Sequence, residues 1–91
     1  MKGEPYTTGE AAEILGVSQR MVVKLHDAGK LRGFKHPGPR HHRKIFAKDL
    51  TDFLRIEGNL SNPVYVNHMR TIWKEYGFHP YIPQPAEQAY Q

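Results

Sequence analysis

Two short stretches with helical apolar spacing, residues 7–15 and 18–28, are separated by little more than Gly16 and Val17. So short a joint brings the two helices into contact at once, and contact at that range dictates residue types. A small residue is needed where the helices touch, and Ala12 stands four before Gly16. A glycine is needed in the joint, where left-handed backbone is resisted by other residues. An apolar plug should follow, which is Val17, and Met21, Val22 and Leu25 should line the inner side of the second helix. The starts are signalled as well. Thr7 and Glu10 form a capping-box pair, and Ser18 caps the second segment, which Gly29 ends. A two-helix hairpin of an ordinary bundle can carry the same pattern, so the neighbouring sequence decides.

That neighbouring sequence is strongly cationic. Residues 28–48, AGKLRGFKHPGPRHHRKIFAK, hold seven of the 13 Lys/Arg and three of the six His, with no Asp or Glu. Two extended runs, 31–36 and 43–46, flank Pro37-Gly38-Pro39, which breaks any ladder and marks a hairpin tip. Phe34 and Ile45 are expected to face inward, with Arg32, Lys35, Arg43 and Lys44 on the other surfaces. A third helix over 48–57 buries Leu50, Phe53 and Leu54 and closes at Gly58. The net charge of +4 and pI near 9.5 are moderate, but the charge is concentrated, which suits a polyanion such as nucleic acid. The plainer reading of this segment is a solvated, solubilising patch.

Ninety-one residues allow one small domain with a thin core. The chain has no cysteine, which excludes disulfides and thiolate metal sites. No apolar run approaches the ~20 residues that span a bilayer, and no apolar stretch follows the N-terminal charge as in a signal peptide. The expectation is a cytoplasmic, DNA-associated protein without membrane contact. His36, His41 and His42 lie close in sequence, but His41 and His42 would point to opposite faces of a strand, so neither a metal nor another cofactor is expected. No Ser/His/Asp set and no phosphate-cradling glycine loop is legible, and an enzyme is not expected.

The last third differs in character. Residues 1–6 read as a short arm at one end, and at the other Asn62-Pro63 is a cap with proline at the first helical position. Tyr65, Met69, Ile72, Trp73 and Tyr76 then form a narrow apolar seam ending at Gly77. Two readings stay open for this seam: packing back on Phe53 and Leu54, or docking on another protein, for which Trp and Tyr are common anchors. The proline-rich residues 78–91 are expected to be extended or disordered.

The run TTGEAAEILGVSQRMVVKLHDAGKLRGF, followed by a Pro/Gly turn and RHHRKIFAKDLTDFL, resembles the excisionase-like and MerR-like winged helix-turn-helix family over roughly residues 6–56. The resemblance implies a mainly α fold with a small β-hairpin wing, classed α+β, here with an additional C-terminal helix and an extended tail. The expected layout is a DNA-binding unit over 1–58, an amphipathic helix over 59–77 packing on it or on a partner, and the tail over 78–91. It also implies that the second helix enters the major groove, exposing Ser18, Gln19, Arg20, Val23 and Lys24, and that the hairpin is a wing offering Arg32, Lys35, His36, Arg40, His41, Arg43 and Lys44. Arg can fork onto guanine and Gln onto adenine, while wing arginines suit a narrow minor groove. The long coiled-coil helix of many MerR-type regulators and a small-molecule domain have no counterpart, which favours an architectural protein.

The reading that follows is an excisionase: a protein that binds tandem duplex sites cooperatively, head to tail, bends the DNA and assists an integrase. A small transcriptional regulator built on the same module is the alternative. A protein-interaction module using Tyr65, Met69, Ile72, Trp73 and Tyr76 is the alternative from another class.

Overall fold

The structure is a computed structural model and describes residues 5–35 and 43–80. Strand β1 (Tyr6–Thr7) leads into helix α1 (Thr8–Leu15). The capping box is formed: the Glu10 amide donates to Thr7 Oγ1 at 3.1 Å and the Thr7 amide donates to Glu10 Oε1 at 2.9 Å. Gly16 ends α1 at φ 73°, the left-handed region its lack of Cβ allows. Helix α2 (Gln19–Asp27) starts from Ser18, whose Oγ accepts the Met21 amide at 3.1 Å.

Two expectations about this hairpin are corrected. Val17 is 37% exposed, not a buried plug. The turn is covered instead by Met69 and Tyr65, whose atoms lie 3.7 and 3.9 Å from where a Gly16 Cβ would stand. Met21 is 43% exposed, while Val22 is fully buried. The inner stripe of α2 runs Val22, Leu25 and His26, an i, i+3, i+4 set that turns Met21 away from the core.

Strands β2 (Gly33–Lys35) and β3 (Arg43–Ile45) are antiparallel, and β1 pairs on the other edge of β3, giving the order β1-β3-β2. The expected short arm over residues 1–6, of which 1–4 lie outside the described residues, is tied down at its end: Tyr6 pairs with Ile45 and is only 2% exposed. Gly33 also pairs with Ile45. A Cβ on Gly33 would stand 1.8 Å from the Lys44 carbonyl oxygen, so no side chain fits. Phe34 is corrected too. With Gly33 and Ile45 on the inner face, the two-residue period turns Phe34 and its partner Lys44 outward. There Phe34, 41% exposed, rests against Phe46 with ring centroids 6.0 Å apart.

Helix α3 (Ala47–Ile56) buries Leu50 and Leu54 completely and Phe53 partly. A 3-10 turn (Asn59–Ser61) leads to helix α4 (Pro63–Tyr76), where Asn62 Oδ1 accepts the amides of Val64 and Tyr65. The core joins Ile14, Val22, Leu31, Ile45, Leu50 and Leu54, all fully buried. Burial of such a side chain is worth roughly 1.5–3 kcal/mol relative to exposure.

Helix α4 docks on α1 for a reason visible in the backbone. The last carbonyls of a helix have no partner within it. Trp73 Nε1–H donates to the Ile14 carbonyl and Tyr65 O–H to the Leu15 carbonyl, both at 2.9 Å. Tyr76 O–H donates to the Glu13 carboxylate. The seam thus meets α1, and it includes Val66, which the sequence stripe left out. Phe78 also departs from expectation. It is 2% exposed and stands edge-on between Trp73 and Tyr6, with centroids 6.0 and 6.1 Å away. Residues 81–91 of the expected tail lie outside the described residues. The architecture is a winged helix-turn-helix of mainly α class with a small antiparallel sheet. Among the described residues no helix is long and apolar enough to cross a membrane.

Candidate nucleic-acid interface

The outward side of α2 is set by its buried stripe. With Val22 fixed inside, Ser18, Gln19, Arg20 and Lys24 are exposed and Val23 is half-buried. Arg20 and Lys24 are one turn apart, and neither side chain has a partner among the described residues. Gln19 differs. Its Nε2 donates to Thr8 Oγ1 at 2.8 Å, tying the first turns of α1 and α2 together. Both helix starts therefore sit side by side, with Ser18 capping the second.

The wing is held at its base by an acid of α3. Asp49, 8% exposed in the first turn of α3, accepts the Arg32 backbone amide at 2.7 Å and Arg32 Nε at 3.2 Å, both on Oδ2. The Arg32 side chain is otherwise 73% exposed. Further along, Lys35 pairs in register with Arg43, and Phe34 with Lys44. By the strand period, Lys35 and Arg43 share the face of Ile45, while Lys44 lies opposite. Arg40 and the three wing histidines, His36, His41 and His42, lie outside the described residues. Among the described residues no group of His, Asp or Glu is arranged to hold a metal ion.

Arg43 connects the wing to α2. Its Nε donates to Asp27 Oδ1 at 3.1 Å and an Nη to Asp27 Oδ2 at 3.2 Å, a two-pronged pair between β3 and the last residue of α2. The hydrogen bond from Arg43, followed by that from His26, holds the Asp27 carboxyl below its ordinary value. Asp27 is the residue that sequence reasoning passed over. A signal was present: an anion at a helix C-terminus faces the negative end of the dipole and calls for a cation from elsewhere. On α3, Asp52 is likewise held below its ordinary value, first by Lys48 and then by its other cationic neighbours, which leaves these charges mutually engaged.

The aromatic residues suggested for a partner occupy a different setting. Met69 and Trp73 are buried, and Tyr65, Ile72 and Tyr76 are partly buried against the same core. Asn67, His68, Arg70, Thr71, Lys74 and Glu75 lie on the exposed side of α4, with Val64 exposed in its first turn.

The hairpin meets α2 at the Arg43–Asp27 pair, on the helix that exposes Arg20 and Lys24, and meets α3 at the Arg32–Asp49 pair. Such an arrangement offers a helix for a groove and cations for phosphates. A family model described as a helix-turn-helix domain matches residues 5–55. No curated protein and no solved structure matches significantly. With more than half of the chain inside that match and the hairpin geometry in place, the chain belongs to the excisionase-like helix-turn-helix domain family and is a DNA-binding protein.

Proposed function

We propose that the protein is an excisionase, a recombination directionality factor without catalytic residues of its own. It binds double-stranded DNA with α2 in the major groove and the wing on the flanking backbone or minor groove. Ser18, Gln19, Arg20, Val23 and Lys24 form the reading side, and Arg32, Lys35, His36, Arg40, His41, Arg43 and Lys44 form the wing side. The observation that carries the reading is the placement of the hairpin beside α2, where Arg43 of β3 reaches Asp27 at the end of the helix. A helix and a hairpin set side by side favour duplex bent to meet both over straight duplex.

The footprint of one such unit is short, and specificity then calls for neighbouring copies on tandem repeats, head to tail. The bent array would favour excision by an integrase over the reverse reaction.

Selection of bound duplexes from a random pool tests the reading. A recovered motif that recurs in tandem, cooperative footprints on it, and altered mobility in a circular-permutation gel are the expected results. A single unrepeated site with independent occupancy would instead assign the module to a small transcriptional regulator. No duplex binding at any salt concentration would remove both.

A further inference from the structure

Asp27 is out of place by charge. It ends α2, where the helix dipole disfavours an anion. It also sits beside a surface that otherwise carries Arg20, Lys24, Lys35 and Arg43. Its two oxygens take both prongs of the Arg43 guanidinium, and the arginine side chain is only 24% exposed. In the free protein, then, a wing cation beside the reading helix is masked. The mask is a weak one, because the Asp27 side chain is 50% exposed and a pair in contact with water is readily exchanged. Phosphate accepts the same fork that a carboxylate does. A carboxylate left behind by that exchange retains His26 Nδ1, 3.3 Å from its Oδ1.

We propose that Asp27 is a specificity-determining positioning residue: its carboxylate holds the Arg43 fork against α2 until a duplex phosphate, brought into register by a correctly seated reading helix, takes the fork over. On a wrong sequence α2 does not seat, the phosphate stays out of reach and Arg43 remains neutralised. Asp27 thereby keeps sequence-independent affinity low while Arg43 is retained for the right site. The inference rests on the reading of α2 and the wing as a duplex-binding surface.

Asp27→Asn preserves shape and removes the charge. Its binding is measured on a random-sequence duplex and on the duplex recovered by selection, each over a salt series. Release of Arg43 adds about one phosphate contact on random DNA. The slope of log affinity against log salt should steepen there by ~0.9, and binding near 0.1 M salt should tighten roughly fivefold to tenfold. Binding to the selected duplex should change less, so discrimination falls. Asp27→Glu, which keeps the charge, should restore the wild-type salt slope. Asp27→Ser is the second uncharged variant, used if Asp27→Asn is poorly folded by circular dichroism, and the same steepening is expected.

A residue that only braced the wing would give the reverse: weaker binding on both duplexes without a steeper slope, and that result overturns the proposal. Unchanged random-duplex binding in the uncharged variants overturns it too, while leaving the DNA-binding surface intact. Wild-type protein that binds neither duplex removes the surface itself, and the proposal with it.

Discussion

The indole N–H of Trp73 donates to the carbonyl of Ile14 at 2.9 Å, across 59 residues of sequence. This bond is buried, and it closes a carbonyl that α1 cannot satisfy within its own turns. Trp73→Phe should therefore cost about 1–3 kcal/mol, since it leaves a buried acceptor unpaired. Trp73→Ala should cost about 3–5 kcal/mol through the added cavity. Urea unfolding checks both, and equal losses for the two variants would contradict the assignment.

Gly33 and Lys44 make a second testable contact. A methyl group on Gly33 would meet the Lys44 carbonyl oxygen at 1.8 Å, and that oxygen is backbone that cannot swing aside. Gly33→Ala should force β2 away from β3 and destabilise the chain by at least ~1–3 kcal/mol, the usual cost of overpacking. Amide exchange at residues 33–35 and 43–45 should accelerate with it. Unaltered protection there would show that the strands close in another way.

Tyr76 gives a prediction in alkali. Its hydroxyl donates to the Glu13 carboxylate, and that bond pushes its pKa up to about 12. A phenol whose folded pKa is raised adds stability that is complete below its ordinary value of 10.0 and is lost as the pH rises through the folded value. Spectrophotometric titration should show a late-ionising tyrosine near pH 12, absent from Tyr76→Phe. The difference in stability between the two proteins should shrink between pH 10 and 12.

On the reading side, Arg20→Ala and Lys24→Ala should separate by what they change. If Arg20 forks onto guanine, its loss costs about 1–3 kcal/mol of discrimination at one base pair of the selected site. Lys24 on a phosphate would instead weaken binding on all duplexes and flatten the salt slope by ~0.9. Competition assays against single-base variants distinguish these results, and a uniform loss for both would place Arg20 on the backbone as well.

Local signals carried most of the helices. Thr7, Ser18 and Asn62 cap where their side chains can reach the next turn, and Gly16 and Gly77 end helices at φ 73° and 68°. These features depend on neighbours a few residues away, so they can be read along the chain. The misread residues depend on distant ones. Val17 was set aside because Met69 and Tyr65 cover the turn, and Phe34 faces out because Gly33 fills the inner place opposite Ile45. Tyr6 and Phe78, which stand edge-on to each other, enter the core through Ile45 and Trp73, both remote in sequence from at least one of them. Within the interface, the cations were legible as a one-signed run. Asp49 was not, and Asp27 showed only a charge at odds with its helix dipole, since the cation that each one clasps is distant in sequence.

The four rings Tyr65, Trp73, Phe78 and Tyr6 stand edge to face in succession, with centroids 6.0–6.1 Å apart. Synthesis places Tyr6 among the first of these groups to leave the ribosome and Phe78 the last. A nascent chain halted near residue 60 already holds every reading cation, yet the two end carbonyls of α1 are still waiting for Trp73 and Tyr65. Competence to grip a duplex should thus arrive abruptly, once Tyr65, Trp73 and Phe78 have emerged.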